Sequence, residues 1–210
     1  RRSAEQIEHA MLLYQESYAS SASELVTELV QYFGDRLRLS NVEADALLAG
    51  ITLDTKNFTF KTGVRTFEAS AYLRRQGADP IKVQLLFKEG LEQYSARSAL
   101  IQSAQKIAPG IMLSVSRQES PGEQILCAQA ADGLLNLTGV EASFVLCRQE
   151  DEIAISARSL GNINVQVILE TLGGGGHLTE AGAQLEDVSL DEAVVMIQKA
   201  VKKYLAEKEE

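Results

Sequence analysis

Tryptophan is absent from this 210-residue chain, and proline (three), cysteine (two) and histidine (two) are scarce. With only six Phe and six Tyr, it is short of the stacking aromatics that line single-strand nucleic-acid grooves. Cys127 and Cys147 stand far apart, with no C-x-x-C or Cys/His cluster. That excludes a disulfide framework and a zinc site, and reads as two reduced core residues. No apolar run approaches the roughly 18 residues needed to span a bilayer, and no signal-peptide pattern is present. Basic residues are outnumbered, 20 against 29, for a net charge of −9. Such a balance argues against binding long nucleic acid, which wants a basic stripe. It leaves room for a small phosphorylated ligand held by a few local donors. Hydrophobic residues make up 45% of the chain, enough for a packed core in one large or two small domains. The chain opens on Arg1-Arg2 without Met and is expected to be part of something longer.

Residues 1–108 read as mostly helical. Ser21-Ala22-Ser23-Glu24 and Ser40-Asn41-Val42-Glu43 have capping-box spacing and open two helices, the first stopping at Gly34. Thr66 to Arg75 is a third. Asp79-Pro80 places proline at the first position of a fourth. Leu91 to Ile107 continues the helical spacing. Asp54 sits at the end of the second helix. Its carboxylate can reach a divalent metal, serve as a turn residue, or pair with Lys56. No second carboxylate or histidine stands at a ligand-like spacing from it. His9, near the start, reads as an exposed residue.

Pro109-Gly110 breaks the pattern and marks a boundary, so residues 109–210 form a second domain. Ile111 to Val115 reads as a buried strand, and Ser120-Pro121-Gly122-Glu123 starts a helix running to about Leu135. Val140 to Arg148 and Ile153 to Arg158 are strands. Asn162 caps a helix carrying Val165, Ile168, Leu169 and Leu172. Ala181 to Leu185 is a short strand, and Ser189 opens the last helix. The pattern is α/β in the α+β sense: a helical part followed by a small mixed-sheet domain.

Two stretches of the second domain carry chemistry. Gly173-Gly174-Gly175-Gly176-His177 costs backbone entropy, and in return lets another molecule approach the main chain. Its amide N–H groups are expected to point at an anion, with His177 adding a side-chain donor. A flexible turn remains the alternative. Along Ile153 to Arg158, a period of two turns Ile153, Ile155 and Ala157 one way and Ala154, Ser156 and Arg158 the other. A guanidinium there suits bidentate phosphate recognition, or pairs with one of the many acids.

With Ser156-Ala157-Arg158-Ser159 and Gly173 to His177 both in view, the second domain resembles the DHH-associated domain, which follows DHH phosphoesterase domains and also occurs in alanyl-tRNA synthetases. Tyr18 to Ser21, Gly50 to Phe58 and Thr66 to Asp79 make the first part similar to the C-terminal part of a DHH domain. Together with Ile155 to Gln184, they look most like the membrane-anchored cyclic-di-AMP phosphodiesterases of bacteria. The resemblance implies a parent enzyme that hydrolyses the cyclic dinucleotide to linear pApA with manganese. Asp54 would be one ligand of its two-metal centre. Gly173, Gly174, Gly175, Gly176, His177, Ser156, Arg158 and Ser159 would bind substrate. The other metal ligands of the family lie in an upstream His-x-Asp, a separate Asp and the Asp-His-His run, none of which is in this chain. The piece is therefore expected to be inactive alone and cytoplasmic. Its partners would be a cyclic or short adenine dinucleotide and a second copy in a homodimer, with no long nucleic acid. Its parent would be held at the cell membrane by other segments. Two rivals remain: a non-catalytic module gripping a nucleotide or RNA end, and part of a DHH single-strand exonuclease.

Overall fold

The computed structural model describes residues 11, 13–34, 37–118, 120 and 122–209. His9, Arg1, Arg2 and Pro121 lie outside the described residues. The chain divides into two compact units, 1–88 and 89–210. Among the described residues no helix is long and apolar enough to cross a membrane.

Four helices make up the first unit: α1 (Ala22–Phe33), α2 (Asn41–Asp54), α3 (Val64–Arg75) and α4 (Pro80–Leu86). Their starts follow from local chemistry. Ser21 and Ser40 accept hydrogen bonds from Glu24 N and Glu43 N, and Asp79 caps α4 ahead of Pro80. Glu43 closes its capping box, but Glu24 does not. Its carboxylate is buried and accepts from the Ser20 hydroxyl and from Thr66 Oγ1 at 2.6 Å, tying α3 to the start of α1. Val30, Ala44, Leu48, Ile51, Ala69, Leu73 and Val83 form the core between these helices.

The second unit begins with α5 (Leu91–Ser103) and is organised around six strands. These are β1 (Gln105–Ala108), β2 (Ile111–Val115), β3 (Ala142–Gln149), β4 (Glu152–Ser159), β5 (Gly175–Gly176) and β6 (Glu180–Glu186). The sheet order is β1-β2-β3-β4-β6-β5, with β2 and β3 parallel and every other pair antiparallel. The parallel pair is bridged by α6 (Glu123–Leu134), as a parallel crossover requires. Helices α7 (Val165–Glu170) and α8 (Leu190–Glu209) cover one face of the sheet. Phe144, Leu146, Ile153, Ile155 and Ala157 are buried beneath them with Ile168 and Ile197. Helices α5 and α6 cover the other face, where Val145, Cys147 and Ala154 meet Leu100, Cys127 and Leu134. The two thiols are therefore neighbours in the core. Hydrogen bonding to Cys147 and burial push the Cys127 thiol up and keep it protonated.

The compact units divide at Lys88/Glu89, twenty residues before Pro109, because Leu100 of α5 packs in the apolar layer under the sheet. Three expectations about helix ends are corrected. Helix α5 stops at Ser103, and the apolar spacing that suggested a longer helix belongs to the edge strand β1. Helix α7 is capped by Asn164, whose Oδ1 accepts from Gln166 N and Val167 N, and not by Asn162. Helix α6 starts at Glu123 behind a left-handed Gly122, later than its proline suggested.

Candidate functional site

Strand β4 is interior to the sheet, between β3 and β6, so Arg158 is not an edge-strand residue. Its Nε donates to Asp132 Oδ2 of α6 at 3.3 Å, and Nη1 donates to the Ala157 carbonyl at 2.9 Å. The side chain is 17% exposed. The acid and the carbonyl fix the guanidinium plane, and Nη2 makes no hydrogen bond among the described residues. A held fork with donors to spare is the form that suits a phosphate.

Strand register assembles the rest. Arg158 stands opposite Glu180 of β6. Glu180 in turn exchanges main-chain hydrogen bonds with His177, at 2.7 and 3.3 Å. Residues directly opposite one another share a face, with strands about 4.8 Å apart. Arg158, Glu180 and His177 thus form one row on one face. The next row on that face is Ser156, Gly182 and Gly175. Helices α5 and α6 contact β2, β3 and β4 but leave this face open over β6 and β5. Glu180, Gly182 and Gln184 are accordingly exposed, alternating with buried Ala181, Ala183 and Leu185. The outcome is an open polar shelf with one arginine, one histidine, one acid, one serine and two glycines.

Within the loop the four glycines are not equivalent. Gly173, at φ +78°, ends α7 in a Schellman turn: its N–H reaches Glu170 O at 3.1 Å, and Gly174 N–H reaches Leu169 O at 2.9 Å. The expectation that all four amides face an anion is thereby corrected, since two are spent on the helix end. A Cβ at Gly174 would overlap the Gly182 carbonyl, and one at Gly176 the Glu180 carbonyl. Gly175 has an ordinary φ and nothing within 4 Å of a Cβ. Among the described residues no neighbour requires it to be glycine, so the space above it is open to another molecule. In an antiparallel ladder hydrogen-bonded and open pairs alternate. His177/Glu180 is a bonded pair, so Gly176/Ala181 is open and the Gly176 N–H points off the sheet edge.

Ser159 differs from its neighbours. It is 1% exposed, its hydroxyl donates to Ile163 O at 2.6 Å and accepts from Gly161 N at 2.8 Å. Parity also puts it on the opposite face from Ser156 and Arg158. It shapes the β4–α7 connection and does not face the shelf. Sequence reasoning missed Glu180, Gly182 and Asp132. The alternation along Glu180 to Glu186 signals the first two, whereas Asp132 needs the tertiary packing of α6 on β4.

Asp54 belongs to the first unit, exposed at the last position of α2. It precedes a left-handed turn in which Lys56, Asn57 and Phe58 have φ of +46°, +58° and +62°. Fully buried Thr55 holds that turn: its Oγ1 donates to Ile51 O at 2.7 Å and accepts from Phe58 N at 2.9 Å. Its carbonyl accepts from Thr59 N and Phe60 N, both at 2.8 Å. Among the described residues no group of three or more His, Cys, Asp or Glu could hold a metal ion. The described residues do not fit a complete two-metal centre.

A family model, the DHHA1 domain, matches residues 111–207. That match lies within the second unit. Across 97% of its length the chain is 52% identical to the cyclic-di-AMP phosphodiesterase GdpP of Geobacillus thermodenitrificans. It is 47% identical to the cyclic-di-AMP phosphodiesterase PdeA of Listeria monocytogenes over the same share. The chain spans 31% of the length of each of these relatives. Among solved structures, an exopolyphosphatase-related protein from Bacteroides fragilis superposes with a TM-score of 0.81 at 21% identity. That match covers 95% of this chain and 64% of the other, and it shows a shared fold. The DHHA1 boundary at residue 111 falls at β2, so α5 and β1 of the second unit precede the matched segment.

Proposed function

We propose that this chain is part of a phosphodiesterase that hydrolyses cyclic-di-AMP to linear pApA, and that its DHHA1 domain holds the substrate. The observation that carries this reading is the shelf beside Gly175, where a held guanidinium and an unexplained glycine stand on adjacent rows. Arg158 would place its Nη2 donors on a phosphate oxygen. Gly175 would let the dinucleotide backbone lie against the main chain, and the Gly176 N–H and His177 would donate from the sheet edge. Ser156 lines the same face. Manganese, bound in the larger protein, would supply hydroxide and polarise the phosphate. Asp54 would be this chain's contribution to that site, and the remaining ligands would come from elsewhere in the parent. Membrane attachment of the parent and homodimer formation belong to the same reading.

Calorimetric titration with pApA tests it. A charge-assisted pair is worth roughly 1.5–3 kcal/mol, so Arg158→Ala should weaken binding about tenfold to a hundredfold. Equal affinity for the wild type and Arg158→Ala would remove Arg158 from the phosphate site.

A further inference from the structure

The first unit contains a cleft of about 1040 Å³ lined by α2, the left-handed turn after it, α3 and α4. We propose that this cleft binds a nucleoside monophosphate, with the base against its aromatic wall and the phosphate on Arg74 and Lys88. Its size lies at the upper end of the range for small-molecule sites, about 300–1,000 Å³. Phe58 and Phe87 contribute to the wall. The Phe58 ring is fixed by stacking on Phe67, with centroids 5.6 Å apart and planes at 15°. Phe58 and Asn57 reach the cleft from left-handed backbone, a conformation that costs L-residues about 1–2 kcal/mol each. Strain kept at the rim of a cavity points to a use for the side chains it presents.

Charge selects the ligand. In a chain with 29 acidic and 20 basic residues, the described lining includes Arg74 and Lys88 and no Asp or Glu. Arg74 Nη1 donates to Ala78 O at 2.7 Å, which anchors the guanidinium while other donors remain for a ligand. Asn57 and Gln84 add amides able to read the edge of a base. A purely apolar occupant, such as a covering helix, would have no use for two cations without acids beside them. The cleft shares no residue with the shelf of the second unit; Leu53 and Asn57 of its lining flank Asp54 in the chain, and the inference rests on the cleft's own lining and not on a metal role for Asp54.

The test is a titration of the isotope-labelled chain followed by its amide resonances. Adenosine 5′-monophosphate, adenosine and inorganic phosphate form separate arms. The monophosphate should shift resonances of residues 52–58, 70–74 and 83–88 saturably, and more tightly than either half. Lys88→Gln should weaken that binding about tenfold. Ala71→Leu, which fills the cleft without altering a charge, should weaken it at least as much. Three results would overturn the proposal: unmoved resonances in this region, equal shifts in both variants, or shifts that track self-association in sedimentation.

Discussion

The two units solve different problems. In the second, helices cover one face of a six-stranded sheet and, over β2, β3 and β4, the other face as well, and Phe144, Val145, Leu146 and Ala157 have no exposed surface. The first is built of short helices around one small core, and it holds most of the large apolar side chains left exposed among the described residues, including Tyr32, Val42, Val64, Ile81 and Leu86. Its unusual features are a left-handed turn and a broad cleft. Precision has two sources. The sheet holds Arg158, Glu180 and His177 in a row by strand register. The first unit instead holds its left-handed turn around buried Thr55.

Core truncation should reveal the contrast most strongly. Phe144→Ala should cost the second unit about 3–5 kcal/mol, read from urea unfolding. A loss below about 1 kcal/mol would mean the sheet does not carry the stability assigned to it. The glycine loop gives a sharper contrast within one motif. Gly174→Ala and Gly176→Ala force a methyl into the β6 backbone and should destabilise by about 1–3 kcal/mol. Gly175→Ala meets nothing, so it should leave unfolding nearly unchanged while weakening pApA binding. A Gly175→Ala protein that unfolds early would make that glycine a folding requirement.

For the first unit, Thr55→Val keeps the shape but orphans the Phe58 N–H, which should cost about 1–3 kcal/mol in the same assay. The smallest effect concerns pH. Hydrogen bonds from Arg65, at 2.6 and 2.7 Å, hold the Glu28 carboxyl below its ordinary value of 4.5. A depressed carboxylate adds stability that is present above pH 4.5 and lost as pH falls through the lowered value. The pair is largely exposed, so the shift in urea midpoint between pH 6 and pH 3 should be slight. Arg65→Gln should remove it, and an unchanged profile would assign the acid sensitivity to other groups.

What the sequence made legible was local. Caps at Ser21, Ser40, Asp79 and Ser189 involve residues within a turn of each other, and all four start helices. The two faces of β4 followed from a period of two. Edges were harder. Gly175 and Gly176 have no strand propensity and pair only because β6 lies beside them. Gln105 to Ala108 continued a helical spacing until β2 claimed it. The shelf was half visible: Arg158 and the loop stood out, but Glu180 came to lie between Arg158 and His177 only through register. Ser159 looked like part of the site because adjacency in sequence hides the change of face.

In the proposed function, substrate lies on the open face of β4, β6 and β5, held by Arg158 beside the edge glycines. Amide mapping of linear pApA on the isotope-labelled chain tests it most directly. Saturable shifts centred on Arg158, Gly175, Gly176 and His177 are expected, with smaller ones at the helix-capping amides of Gly173 and Gly174. Shifts in the second unit confined to the α7/α8 face, or none at these positions at saturating pApA, would contradict it.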